Sequence, residues 1–357
     1  MKTYIKFLSF IFFKSFIYVT LIMLSLIFVL NTLTELEFFK EFNVGINFTL
    51  LLSFINSPSM IFEMFPFIFL ISTQLFFIKL FNNNELEIFK YSGLTNSKIL
   101  KIIAAISFIF GLFIIFIFYN FSAGLKNFYL EKKSQFTSDG KYLAVITKNG
   151  LWIKDQIDEK IYIINSSEVS DNFLINNFIT EFSDKFEVLR NIQSDNIDVS
   201  GKEWIIYNAK IYNKNNYEIK EKIKLKSNFD YKRIQSLYSD LSSLDIFKLI
   251  ELRNNYKKLN YSLTEVNLQI LKLLSYPIYL LLMTILSALI MFRIKRLSTT
   301  MLKISFGLFL SVIIYYINNF FLVMGSNERI TLILAVFAPL ITLGLINSFL
   351  YYRINEK

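Results

Sequence analysis

Six stretches of this chain run for about twenty residues or more with almost no charge, and nothing else in the sequence narrows the fold as far. Hydrocarbon offers no partner to an exposed backbone N–H or C=O, so a spanning segment must be a helix of ~20 mostly apolar residues. The stretches cover residues 12–33, 59–80, 99–121, 268–292, 301–324 and 330–352. Lys2 and Lys6 precede the first, as in a signal peptide, but it is too long for a signal h-region and lacks a small-x-small cleavage site. It reads as an uncleaved anchor. The expected fold is an α-helical integral membrane protein with six transmembrane helices and a large polar insertion.

Charge placement gives the orientation. Residues 121–268 carry 22 Lys/Arg against 20 Asp/Glu, nearly balanced, while the remainder carries 16 against 8. The net charge of +10 therefore gathers at the ends of apolar runs, a topology signal and not a face for nucleic acid. With the N-terminus inside, the cytoplasmic flanks collect Lys2, Lys6, Lys14, Lys79, Lys90, Lys98, Lys101, Arg293, Lys295, Arg296, Lys303, Arg353 and Lys357. The short outer loops hold only Lys40 and Arg329. Both termini are expected in the cytoplasm and the segment after the third span outside it. Pro58 falls where the second span would begin, and Pro66, Pro277 and Pro339 lie within spans, where they kink a helix.

The outer segment, residues 122–232, reads as β-rich. Residues 141–147 form a β-propensity run, Asn149-Gly150 is a turn signal, and alternation resumes at 151–155, which together read as a hairpin. Further strands are expected at 161–164, 173–182, 186–192, 203–212 and 217–225, seven or eight in all, in a sandwich or open roll. Trp152 and Trp204 are expected in its core, with ligand stacking as the alternative. Leu241, Leu244, Phe247, Leu252, Tyr256 and Leu259 give a helical pattern in the connector 233–267. The chain thus divides into 1–121 (spans one to three, with a cytoplasmic segment 81–98), 122–232, 233–267 and 268–357.

Little catalytic chemistry is available. There is no Cys and no His, which excludes disulfides, Cys/His metal sites and His-based acid–base catalysis. No P-loop motif occurs, so the chain is not itself a P-loop ATPase, any work it does must draw its energy from a partner, and no cofactor is implied. Glu63 and Lys272, the rare charges within spans, read as snorkelling side chains near span ends. The most informative cytoplasmic feature is Asn82-Asn-Asn-Glu-Leu-Glu-Ile-Phe-Lys-Tyr-Ser-Gly-Leu94, a mixed apolar and charged helix closed by Gly93. Such a helix suits either insertion into a cytoplasmic motor or a solvated loop.

In these residues the chain resembles the LptF/LptG permease family of the lipopolysaccharide-exporting ABC transporter. Residues 84–93 look like that family's coupling segment, Gly150-Leu-Trp-Ile-Lys-Asp155 looks like its LptG-type hairpin, and Pro66, Leu241-Ser-Ser-Leu244 and Lys272 with Tyr276-Pro277 fit as well. The resemblance runs along essentially the whole chain. It implies a Gram-negative inner-membrane permease subunit, not an enzyme, with a periplasmic jellyroll-like domain. It also implies an LptF-type partner, an LptB-type ATPase dimer that binds the ATP, LptC- and LptA-type bridge proteins, and lipopolysaccharide as cargo. By position, Glu85, Leu86, Glu87, Phe89, Tyr91 and Gly93 would couple to the ATPase. Lys40, Lys126, Lys132 and Lys133 flank the outer ends of the first and third spans and are candidates for anionic headgroup contacts, or else ordinary interfacial lysines. The chain departs from the family at Asn31 and Thr32, where members carry basic residues. The alternatives are an LptF-type subunit of the same exporter, a membrane-anchored envelope-binding protein with no transport role and, last, a membrane enzyme.

Overall fold

Hydropathy marks only the apolar middle of each helix, and the helices extend past it. The structure, a computed structural model, describes residues 3–42, 44–136, 151–157, 160–170, 172–184, 186–213, 216–231, 234, 240–258, 262–293 and 300–355. The strand expected at 141–147, the Asn149-Gly150 turn, and Lys2, Lys295, Arg296 and Lys357 lie outside these residues. Two compact units are present: Met1–Lys126 with Leu263–Lys357, which is helical, and Asn127–Ser262, which carries the sheet.

The helical elements are α1 (Thr3–Phe38), α2 (Ile46–Asn82), α3 (Glu85–Tyr91), α4 (Asn96–Phe113), a π-helical stretch (Ile114–Tyr119) and α5 (Asn120–Ser134). After the sheet come α6 (Ile246–Lys258), α7 (Thr264–Arg293), α8 (Thr300–Ser326) and α9 (Leu332–Asn355). Among the described residues, six helices are long and apolar enough to cross a membrane. Pro58 does not open the second span but lies inside α2, which starts at Ile46 after an extended Gly45. The extra turns are rich in hydroxyls that fold back on the helix, with Ser53 and Ser57 donating to the carbonyls of Thr49 and Ser53. That polarity conceals them from an apolar-run count.

Around α2 pack α1, α7 and α8, and α7 also meets α4 and α9. Close approach needs small residues: a Cβ on Gly111 of α4 would come within 2.9 Å of the Pro277 Cα, so α4 and α7 meet backbone to backbone there. Side chains then bond across the seams. Ser287 Oγ donates to the Leu70 carbonyl (2.7 Å), Thr284 Oγ1 to Ser107 Oγ (3.0 Å) and Asn347 Nδ2 to the Leu282 carbonyl (3.0 Å).

In the other unit, β1 (Leu151–Ile157), β2 (Lys160–Ser170), β3 (Phe173–Phe182), β4 (Val188–Asp198), β5 (Glu203–Asn213) and β6 (Asn216–Lys226) form one antiparallel sheet in chain order. Its inner face steps by two, then by three, then by two. The buried positions are Leu174 then Asn177 and Ile179 on β3, Ser194 then Ile197 on β4, and Ile206 then Ala209 on β5. Asn176 and Asn208, in the left-handed region at φ 52° and 50°, stand in two of these gaps. A single left-handed residue reverses the alternation, and because neighbouring strands step together the pairing register holds on either side. The sheet closes through Asp155 of β1, which is 1% exposed. It accepts from Ser227 Oγ (2.8 Å), Asn228 N (3.0 Å) and Asn228 Nδ2 (2.7 Å), just beyond β6. The first strand is thereby tied to the segment leaving the last, and the core of Ile153, Ile164, Ile192, Trp204, Ile206 and Phe229 lies within. Trp204 is core as expected, its Nε1 donating to the Phe229 carbonyl (2.8 Å). Trp152 corrects its expectation: Leu151, Ile153 and Asp155 take the inner positions of β1, so the alternate Trp152 faces out, 56% exposed.

Candidate functional site

The short helix α3 joins α2 to α4 and is defined at both ends. Asn84, at φ 54°, turns the chain out of α2, and its carbonyl accepts from the N–H groups of Glu87 and Ile88. Glu85 and Glu87 in the first turn and Lys90 in the last complement the helix dipole. Gly93, at φ 79°, closes a Schellman motif, with Leu94 N–H donating to the Phe89 carbonyl (2.9 Å) and Gly93 N–H to that of Lys90 (3.0 Å). The left-handed φ is why glycine stands there.

The six residues expected to couple divide by direction. Leu86 is buried, and half-buried Phe89 meets Phe7 of α1 edge-on at 5.8 Å, so these two fasten the helix to the bundle. Glu85 is half-buried; it accepts from Asn83 Nδ2 (3.1 Å), while its buried Oε2 finds no hydrogen-bond donor among the described residues. Glu87, Tyr91 and Gly93 face outward, Tyr91 being 91% exposed. Ile88, outside the expected set, is exposed beside them, and the signal for it is its place three residues before Tyr91 on the same helix face. What results is a capped helix with an outward patch of one carboxylate, one apolar side chain and one aromatic ring.

The four lysines divide between the two units. Lys40 is exposed on a single turn of 3₁₀ helix next to buried Phe39, and Lys126 is half-buried at the end of the helical unit. In the other unit Lys132 lies over the Phe128 ring at 5.5 Å, and Lys133 is buried, donating to the Tyr129 hydroxyl (2.9 Å). Asn31, where family members carry a base, is buried against α2: its Nδ2 donates to the Ser53 carbonyl (2.8 Å) and its Oδ1 accepts from Asn56 (3.2 Å). It serves as a helix seam.

The feature that sequence reasoning passed over lies inside the helical unit. Glu63 of α2 and Lys272 of α7, read separately as snorkelling charges, line one cleft of about 140 Å³ with Tyr279, Tyr315, Asn318 and Asn319. Their separation in the sequence hid the convergence. Pro66 builds the floor: it has no N–H, so the Phe62 carbonyl one turn back has no intrahelical donor, and the Tyr276 hydroxyl donates to it instead. The Phe62 and Tyr276 rings stack at 4.8 Å, and Tyr119 from the π-helical stretch packs on Phe62 at 5.0 Å. A π-bulge turns one side chain out of phase, which is how Tyr119 reaches that stack.

With this geometry in place, the chain can be set against known proteins. A family model described as lipopolysaccharide export system permease LptF/LptG matches residues 6–353. No curated protein matches the chain.

Proposed function

The chain belongs to the LptF/LptG family of lipopolysaccharide export permeases, and from that premise we propose that it is the LptG-type subunit, working with an LptF-type permease and an LptB-type ATPase dimer. It is a multi-pass inner-membrane transport subunit. In this reading both termini are cytoplasmic, and the β unit stands in the periplasm and hands lipopolysaccharide to LptC- and LptA-type bridge proteins. ATP binds to the partner, so the chain needs no cofactor of its own. Gly150-Leu-Trp-Ile-Lys-Asp155 supports the LptG-type choice, and Asp155 in that motif has the definite task of closing the sheet.

One observation carries the coupling mechanism. Helix α3 is held inward by Leu86 and Phe89 and presents Glu87, Ile88 and Tyr91 outward. A helix pinned on one face transmits a push as a displacement of α2 and α4 and does not absorb it by bending. Rigid-body movement of these two spans would then squeeze lipid held against the bundle. Glu87→Lys on the full-length chain tests this. We expect it to co-purify with the second permease while ATP-driven lipopolysaccharide release falls by roughly tenfold or more, since a reversed charge at an interface costs on the order of 1.5–3 kcal/mol. Undiminished release and ATPase binding would remove α3 from the mechanism. An LptF-type identity would appear instead as complementation of a missing LptF and not of a missing LptG.

A further inference from the structure

Glu63 and Lys272 are opposite charges facing one small cleft, yet among the described residues neither makes an ion pair. The amides of Asn318 and Asn319 and the hydroxyls of Tyr279 and Tyr315 likewise make no hydrogen bond among the described residues, although all four line the same space. Glu63 is exposed and Lys272 half-buried at the cleft, and ionisable residues within spans mark a ligand site or a relay. A relay is a poor fit, since no further ionisable side chain except tyrosine lines the cleft.

Depth narrows the ligand. At about 1.5 Å per helical residue, Glu63 lies about 24 Å along α2 from Lys79, and Lys272 about 31 Å along α7 from Arg293. Against a hydrocarbon core of about 30 Å, both stand near the boundary opposite the basic rim, where lipid headgroups are. At about 140 Å³ the cleft has room for a small polar headgroup and not only for a single water. Chemistry narrows it further. A simple anion would meet the Glu63 carboxylate, and a simple cation would meet the Lys272 ammonium.

We propose that the cleft binds a two-ended phosphate–ammonium headgroup of the phosphoethanolamine class. Lys272, with the Asn318 and Asn319 amides, takes the phosphate oxygens, and Glu63 takes the ammonium. The tyrosine hydroxyls can serve either end, because a hydroxyl both donates and accepts. A bilayer phospholipid and a glycolipid bearing phosphoethanolamine share this chemistry.

The test is native mass spectrometry of the full-length chain with its co-purifying subunits, delipidated in mild detergent. The probes are phosphatidylethanolamine, phosphatidylglycerol, and lipid A with and without phosphoethanolamine. Phosphatidylethanolamine should be retained about tenfold better than phosphatidylglycerol, the worth of one charge-assisted hydrogen bond. Glu63→Gln should erase that preference while leaving phosphatidylglycerol binding intact, and Lys272→Met should weaken both. A phosphoethanolamine preference among the phospholipids identifies the bilayer as the source, and one confined to lipid A identifies the glycolipid. Equal retention of ethanolamine-bearing and ethanolamine-free lipids by the unmodified chain overturns the proposal, as does a preference that Glu63→Gln leaves unmoved. The comparison within the unmodified chain does not depend on any variant folding.

Discussion

The helical unit and the β unit bury polar atoms in opposite ways. Among the helices the interhelical bonds are dispersed, single and mostly made by small neutral groups, such as Ser287 to Leu70, Thr284 to Ser107 and Asn347 to Leu282. In the β unit bonding is concentrated on two buried carboxylates, Asp155 with three donors and Glu181 between Lys160 and Arg190. The solvent explains the contrast. Lipid tails are as apolar as leucine, so helices gain little from hiding apolar surface, and many close contacts of small side chains share the task. A sheet in water is driven together by its apolar face, and what remains is to fix where it closes, which a few strong bonds can do. Substitutions should therefore act steeply at a few points of the β unit and shallowly across the helices.

The largest effect is expected at Asp155. Asp155→Ala removes three hydrogen bonds and leaves the Asn228 and Ser227 donors to find others, a loss on the order of 3 kcal/mol from the β unit. Both tryptophans of the chain, Trp152 and Trp204, lie in this unit, so tryptophan fluorescence of the full-length protein, excited where tyrosine does not absorb, reads it without interference from the helices. Trp204 bonds to Phe229, beside the residues that Asp155 holds, and should report the opening directly. A fluorescence melt unchanged in Asp155→Ala would abolish the contrast between the units.

A smaller effect, with a definite pH signature, is expected at Glu181. Burial pushes its carboxyl upward, but hydrogen bonds from Lys160 (2.8 Å) and Arg190 (2.5 Å) outweigh that and hold it below the ordinary carboxylate range. A group whose value is lowered by folding adds stability at neutral pH and loses it as the pH falls through the folded value. The β unit should thus weaken below the usual carboxylate range. Glu181→Gln should cost about 1–2 kcal/mol at neutral pH, because a charge-assisted bond exceeds a neutral one, and should flatten the acid slope. An unchanged slope in fluorescence-monitored unfolding would assign the acid sensitivity to other carboxylates.

The same contrast explains what could be read before the fold was known. Spans are legible because hydrocarbon leaves the backbone no choice, and strands because alternation records one wet face and one dry one. The first turns of α2 are not legible, since hydroxyls that bond their own helix look polar in a hydropathy count. Trp152 was misassigned because residue type outweighed its position, an odd step from Leu151 and Ile153. The sheet's step at Asn176 and Asn208 is hidden, as an asparagine in a strand carries no mark of its φ. At the candidate sites, the sequence located α3 but not which of its side chains turn inward. Nor could it bring Glu63 and Lys272 together, because nearly uniform apolar helices give no face to align.

The smallest expected effect is the most demanding test of the comparison. Ser287 donates to the Leu70 carbonyl across the α2–α7 seam, and both residues are buried. The Leu70 carbonyl has its own helical donor as well, so Ser287→Ala deletes an additional bond without stranding an acceptor. Interhelical bonds of this kind average about 0.6 kcal/mol in membranes, because the separated helices also find partners. A thermal melt of the detergent-solubilised chain followed by far-ultraviolet circular dichroism should shift barely beyond its error. Removing Ser287 and Thr284 together, one turn apart on α7, should still cost only on the order of 1 kcal/mol, about two such bonds. If Ser287→Ala alone destabilised the helices as much as Asp155→Ala destabilises the sheet, bonding among the spans would be concentrated too. The solvent would then not be what divides the two units.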